Sequence, residues 1–255
     1  MISENKFLTQ YIVGFIVAFM VSFLVMPAII RLAKRRHWID YPNHRKVHQF
    51  PVPTLGGIGV FAGILFSWFL MYNYLHSLTF LVFFVSLITL LITGIIDDLK
   101  NISVSIRFIV QIAIAVAMAY SGLRVTNLHN LFGIGELPLF WQYLLTVVLL
   151  VGITNSFNFI DGIDGLAGGI GLINSLMFAV IFSVINEMVY CFIALSLAGS
   201  LLAYLYYNFY PARIFMGDSG SLVIGFILAV LAVTAVEHPS FNPDSYMVLP
   251  NIFVL

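Results

Sequence analysis

Charge is missing from this chain in blocks. No Asp, Glu, Lys or Arg occurs between Lys6 and Arg31, Lys46 and Asp97, Arg107 and Arg124, Glu136 and Asp161, Asp164 and Glu187, Glu187 and Arg213, or Asp218 and Glu237. Each gap is filled by apolar side chains and approaches, or exceeds, the roughly 20 residues that a helix rising about 1.5 Å per residue needs to cross hydrocarbon. With 61% hydrophobic and 9% charged residues, the chain has too little polar surface for a water-soluble globule. Its mean hydropathy of +1.04 agrees. The expectation is an all-α integral membrane protein, a polytopic helical bundle forming a single domain over residues 1–255.

Formal net charge is zero, so no global field favours nucleic acid. Cys191 is the lone cysteine and makes no disulfide framework. The first apolar run follows Glu4 and Lys6, lacks a small-residue cleavage signature before Arg31, and reads as a retained helix.

Eight spans are expected: Phe7–Leu32, Leu55–Tyr72, Leu78–Ile96, Ile106–Ser121, Leu139–Ile160, Leu166–Ile185, Val189–Tyr207 and Leu222–Val236. An apolar run from Met247 to Leu255 is too short to cross and reads as a truncated ninth. Pro27 is tolerable inside the first span if a neighbouring group satisfies the carbonyl it frees. Trp38, Trp68 and Trp141 fall near span ends, where aromatic rings anchor helices at the membrane interface.

Alternating the direction of successive spans gathers Arg31, Lys34, Arg35, Arg36, Arg45, Lys46, Lys100, Arg107 and Arg213 on one face, with Lys6 and Arg124 on the other. The positive-inside rule makes the first face cytoplasmic. The same alternation sends Asp97, Asp98, Asp161, Asp164 and Asp218 there, which the charge rule does not require. Carboxylates at membrane-helix ends are costly unless hydrated, paired or bound to a cation, so five converging from three segments indicate a shared site. Hard oxygen donors with few His or Cys nearby suit Mg²⁺, or Mn²⁺, better than zinc.

Three acidic segments and one basic loop carry the chemistry. GIIDDLKN (94–101) ends a span with adjacent carboxylates that must point in different directions. NSFNFIDGIDGLAGG (155–169) spaces Asn158, Asp161 and Asp164 so that, if helical, they share one side, among glycines that open the backbone to a phosphate or to a packed helix. FYPARIFMGDSGSL (209–222) offers Asp218 in a Gly-Asp-Ser-Gly turn, with Phe215 as a stacking surface for a base. NHRKVHQFPVPTLGG (43–57) is basic and bears histidines; it either fixes topology or holds diphosphate.

PVPTLGG, DDLKN, NSFNFIDGIDGLAGG and FMGDSGSL, in this order at helix ends, resemble the polyprenyl-phosphate N-acetylhexosamine-1-phosphate transferases. The VPTLGG block, preceded by Lys46 and His48, is closer to the GlcNAc-1-phosphate branch than to the phospho-MurNAc-pentapeptide translocases, which typically read TPTMGG. The resemblance implies transfer of GlcNAc-1-phosphate from UDP-GlcNAc to undecaprenyl phosphate at the cytoplasmic face of the plasma membrane, releasing UMP and starting a cell-envelope glycan. By the same resemblance Asp218 is the principal Mg²⁺ ligand, joined by Asn158, and Asp97 and Asp98 lie close to the metal and lipid phosphate. It further implies that Phe215 stacks on uracil, that Asn158, Asn208, Asp161 and Asp164 line the nucleotide and diphosphate pocket, and that Lys46, His48 and Lys100 contact phosphate. Family habit suggests about ten spans, a His motif after the ninth, and a homodimer. The competing readings are the pentapeptide translocase and, from the acidic helix ends, a cation-coupled transporter, whose carboxylates should sit near mid-membrane.

Overall fold

The computed structural model describes residues 2–40, 51–69, 77–131 and 134–238, the side chains of 2–8, 129–131 and 134 excepted. Within these residues the chain forms eight helices. They are α1 (Ile2–Arg36), α2 (Gly56–Trp68), α3 (Leu78–Lys100), α4 (Val104–Tyr120), α5 (Leu139–Ile160), α6 (Leu166–Val184), α7 (Met188–Asn208) and α8 (Asp218–Glu237). Two antiparallel ribbons complete it: β1 (Ile39–Asp40) with β2 (Val52–Pro53), and β3 (Asn127–Leu131) with β4 (Ile134–Glu136). Six helices are long and apolar enough to cross a membrane, while α2 and α4 are shorter. This is an all-α, multi-pass membrane protein. The expected ninth span lies outside the described residues.

Helix α8 is the hub, packed on α2, α3, α5 and α6, while α7 gathers α1, α2 and α6. Close approach rests on missing side chains. A Cβ on Gly57 would lie 2.1 Å from the Gly220 backbone nitrogen, and one on Gly94 would lie 2.5 Å from backbone atoms of Asp218 and Ser219. The backbones of α2 and α3 therefore rest directly on the start of α8, as small residues permit in membrane bundles.

Pro27 lies inside α1 and deprives the Phe23 carbonyl of its helical donor. Tyr207 of α7 supplies the replacement, its hydroxyl donating to Phe23 O at 3.1 Å. On the neighbouring contact, Ser22 donates to Gly59 O of α2 at 2.9 Å. Helix α4 is held to α5 by a reciprocal amide pair, Gln111 with Asn155. Trp141 is exposed, as an interfacial anchor should be, but Trp68 is 6% exposed and packs on Phe83 and Phe84. The regular turns of α2 are described to Trp68, whose ring faces the bundle, and the expected end at Tyr72 lies outside the described residues.

Helix boundaries depart from expectation where a tertiary contact intervenes. Helix α3 runs on through the acidic pair to Lys100, where Asn101 in the left-handed region stops it. Helix α8 begins at Asp218, four residues before the apolar run, because a carboxylate from α3 caps it.

Candidate functional site

The ends of α3, α5 and α7 and the beginnings of α2, α4, α6 and α8 meet on one face. They enclose a cavity of about 480 Å³, within the range of small-molecule sites. Asp97, Asp98, Asn158, Asp161, Asn208, Phe215 and Asp218 all line it. Seven sequence-predicted residues from four separate segments thus share one space. Asp164 and Lys100 are not in its wall, and Lys46 and His48 lie outside the described residues.

The α3 pair divides its labour, as adjacent helical positions must. Asp97 Oδ1 accepts from the Ile102 N–H at 2.9 Å, which ties the carboxylate to the α3–α4 turn. Its Oδ2 lies 2.8 Å from the Arg107 guanidinium. Asp98 points the other way and accepts from the backbone N–H groups of Asp218, at 2.8 Å, and Ser219, at 3.1 Å. These are free amides at the N-terminus of α8, whose dipole favours an anion. Gly217, with φ of +73°, makes the turn before them.

Asp218 is held from a second direction. Asn158 of α5 donates to Asp218 Oδ1 and, at 2.7 Å, to Ser221 Oγ. Arg107 reaches the same Oδ1 at 3.2 Å. Phe215 is fixed through its backbone: its N–H donates to Pro53 O at 2.8 Å and its carbonyl accepts from Gly56 at 2.9 Å. The PVPTLGG and FMGDSG blocks are therefore stitched together beside the cavity.

The condition under which Asn158, Asp161 and Asp164 would share one helical side is not met. Helix α5 ends at Ile160, and residues 161–165 turn before α6, with Gly165 left-handed at φ +76°. The turn keeps Asp161 in the cavity and sends Asp164 away, where it accepts from Ala212 N–H at 3.0 Å. Asn208 braces the same corner, accepting from Gly165 N–H at 2.8 Å and donating to Ile214 O at 2.9 Å. Burial, then the nearby Asp218 and Asp98 carboxylates, push the Asp161 carboxyl up to about 7.

Asp40 at the end of β1 went unnoticed in the sequence, whereas the other lining residues, Thr54, Asn101, Gly162, Ile163 and Gly217, fall inside the motif blocks. Arg107, counted there as a topological charge, contacts two site carboxylates. The β1 residues Ile39 and Asp40 carry no motif. The pairing of β1 with β2, Asp40 opposite Val52, is what brings Asp40 to the cavity.

The donor set suits a hard divalent cation in part. The lining residues offer carboxylates and amides and no His or Cys, and Asp97 Oδ2 is buried with the Arg107 guanidinium as its ion-pair partner. Yet among the described residues no three such groups converge into a ready-made cage. An ion here would take one or two protein ligands and complete its shell with water or phosphate oxygens, the usual state of protein-bound Mg²⁺.

Residues 79–236, well over half the chain, match the family described as glycosyl transferase family 4. The chain belongs to glycosyl transferase family 4. Every residue from Asp97 to Asp218 in this cavity falls inside the stretch that matches family 4. The chain is 35% identical over 214 residues to a probable undecaprenyl-phosphate N-acetylglucosaminyl 1-phosphate transferase of Bacillus subtilis, covering 82% of this chain and 58% of that protein. It is 36% identical over 231 residues to a decaprenyl-phosphate N-acetylglucosaminephosphotransferase of Mycobacterium leprae, covering 83% and 58%. It is 32% identical over 222 residues to the undecaprenyl-phosphate alpha-N-acetylglucosaminyl 1-phosphate transferase of Escherichia coli K12, covering 82% and 59%. This family 4 chain thus spans under two thirds of the length of these relatives.

Proposed function

We propose that this chain transfers GlcNAc-1-phosphate from UDP-GlcNAc to undecaprenyl phosphate, with Mg²⁺, on the cytoplasmic face of the plasma membrane. One observation carries the reading. Asp97, Asn158, Asp161, Phe215 and Asp218, from α3, α5, the turn after it, the α7–α8 loop and the start of α8, line one cavity at the membrane-helix ends. Its position suits a reaction between a water-borne nucleotide sugar and a lipid-borne phosphate. Carboxylates at one face, away from mid-membrane, do not suit cation-coupled transport. The names of the relatives support the polyprenyl phosphate acceptor and the GlcNAc group.

Two anions must meet, and their repulsion is the first barrier. A divalent ion bound here would neutralise diphosphate charge and polarise phosphorus. Asp218 and Asp97 face the place where it would be held, with Asn158 orienting Asp218. Asp98 spends both oxygens on the start of α8, so its work is to fix the Gly217–Ser219 turn that carries Asp218. Phe215, locked by Pro53 and Gly56, offers a ring to the uracil. The lipid phosphate has a second pKa of about 6 if it resembles other phosphomonoesters, so it is largely dianionic at neutral pH and attacks the β-phosphorus directly, expelling UMP.

The test is transfer of radiolabel from UDP-GlcNAc to undecaprenyl phosphate by purified protein in detergent, with Mg²⁺ or EDTA, beside Asp218→Asn. Mg²⁺-dependent labelled lipid that falls at least about a hundredfold in the variant is expected. Transfer that EDTA leaves intact would sink the metal part. Silence with every UDP-hexosamine, here and in a chain extended to the length of the relatives, would sink the whole reading.

A further inference from the structure

Arg107 closes the first turn of α4, and its guanidinium serves two carboxylates at once, 2.8 Å from Asp97 Oδ2 and 3.2 Å from Asp218 Oδ1. Asp97 is 4% exposed, and its Oδ2 is buried. What faces that oxygen is a charge placed between two carboxylates. A divalent cation shared by Asp97 and Asp218 would claim the same place. Metal–oxygen contacts of about 2.1 Å leave no room for a guanidinium on the same oxygens, and the two cations repel.

The rest of α4 fixes where Arg107 starts. One turn further on, Gln111 is clasped to Asn155 of α5, and Asn155 is also tied to its own helix through Val151 O. The clasp sets the register of α4 against the helix that carries Asn158. Meanwhile Ile109, Ile112 and Val116 face outward. The Arg107 side chain is 22% exposed, so its long stem has a way out of the bridge without movement of the helix.

We infer that Arg107 is the resident counter-ion of this site. It bridges Asp97 and Asp218 while no divalent cation is bound, and it leaves the bridge when the cation enters. It keeps the ends of α3, α4 and α8 assembled in the metal-free protein, and it lowers the affinity of the site for metal. The inference takes from the transferase reading only that a divalent ion binds between these two carboxylates.

Two measurements on the purified chain in detergent test it, and neither uses transfer activity. Mn²⁺ is titrated alone and followed by electron paramagnetic resonance. Arg107→Gln should bind it at least about tenfold more tightly than the parent, because a positive charge within a few ångströms of the ion is gone. In the parent protein, phenylglyoxal labelling of arginines is read by peptide mass spectrometry with and without Mg²⁺. Labelling at Arg107 should rise severalfold with Mg²⁺. Arg213, stacked on Tyr206 and Tyr207, should not change and serves as the internal control. Unchanged or tighter protection of Arg107 on adding Mg²⁺ overturns the inference, and the labelling decides alone if the variant does not fold. Equal or weaker Mn²⁺ binding by a folded Arg107→Gln also overturns it. Mn²⁺ binding without release of Arg107 sinks the counter-ion and leaves the transferase reading standing. No Mn²⁺ binding by the parent sinks both the counter-ion and the metal of that reading.

Discussion

Asp98 caps the helix that begins with Asp218: its two carboxylate oxygens take the N–H groups of Asp218 and Ser219 across 120 and 121 residues of sequence. The acidic end of α3 and the Gly-Asp-Ser-Gly turn are therefore one unit, and a change in either moves the other.

Asp98→Ala removes both acceptors and strands two amides at a membrane-helix start. A loss of about 2–3 kcal/mol is expected, read as a drop in melting temperature in detergent that Lys100→Ala does not reproduce. Gly217→Ala should hurt similarly, by about 1–3 kcal/mol. Its Cβ would lie 2.6 Å from Asp98 Oδ2 on a backbone at φ +73°.

The hydroxyl of Tyr207 matters because of a proline elsewhere. Tyr207→Phe should cost about 1 kcal/mol by leaving the Phe23 carbonyl without a donor. In a Pro27→Ala background, where residue 27 regains its N–H, that cost should vanish. Equal costs in both backgrounds, in a double-mutant cycle of melting free energies, would refute the account.

Gln111→Leu leaves Asn155 facing an apolar side chain and should cost about 1–2 kcal/mol. The double change Gln111→Leu with Asn155→Leu should cost less than the sum of the singles, since neither amide is then stranded. Thermal unfolding of the four proteins measures the coupling.

Asp161 contributes to the pH dependence. Burial and the nearby Asp218 and Asp98 carboxylates push its carboxyl up to about 7 in the folded chain, against about 4 when unfolded. The folded state therefore holds an extra proton between these values, and stability falls as pH rises through that window. In EDTA, the parent should lose melting temperature between pH 5 and pH 8. Asp161→Asn, which has no such proton to lose, should show a flatter profile.

Much of this architecture is legible in the sequence because hydrocarbon imposes long apolar runs. Leu139–Ile160 is both the expected span and the observed α5, and the gathering of acids on one face follows from alternation alone. What escaped depends on partners far away in sequence. The early start of α8 needs the cap from Asp98, which no local pattern announces. The separation of Asp164 from Asp161 turns on the path of the 161–165 turn after the expected helix end at Ile160, and that path is set by contacts to Asn208 and Ala212. Arg107 looked like one more interfacial cation, because its pairing with Asp97 and Asp218 exists only once α4 is seated on α5. The backbone stitches from Pro53 and Gly56 to Phe215 have no side-chain signature at all.

The contact between Gly57 and Gly220 sets a limit on redesign. Any side chain at residue 57 would have to pass through the backbone of α8 at 2.1 Å, so a saturation library at that position should return glycine alone. The seat of α2 on the start of α8, the helix that begins with Asp218, is thus closed to substitution. Variation in what the cavity accepts has to be written on residues of its own wall, such as Asp40 and Thr54.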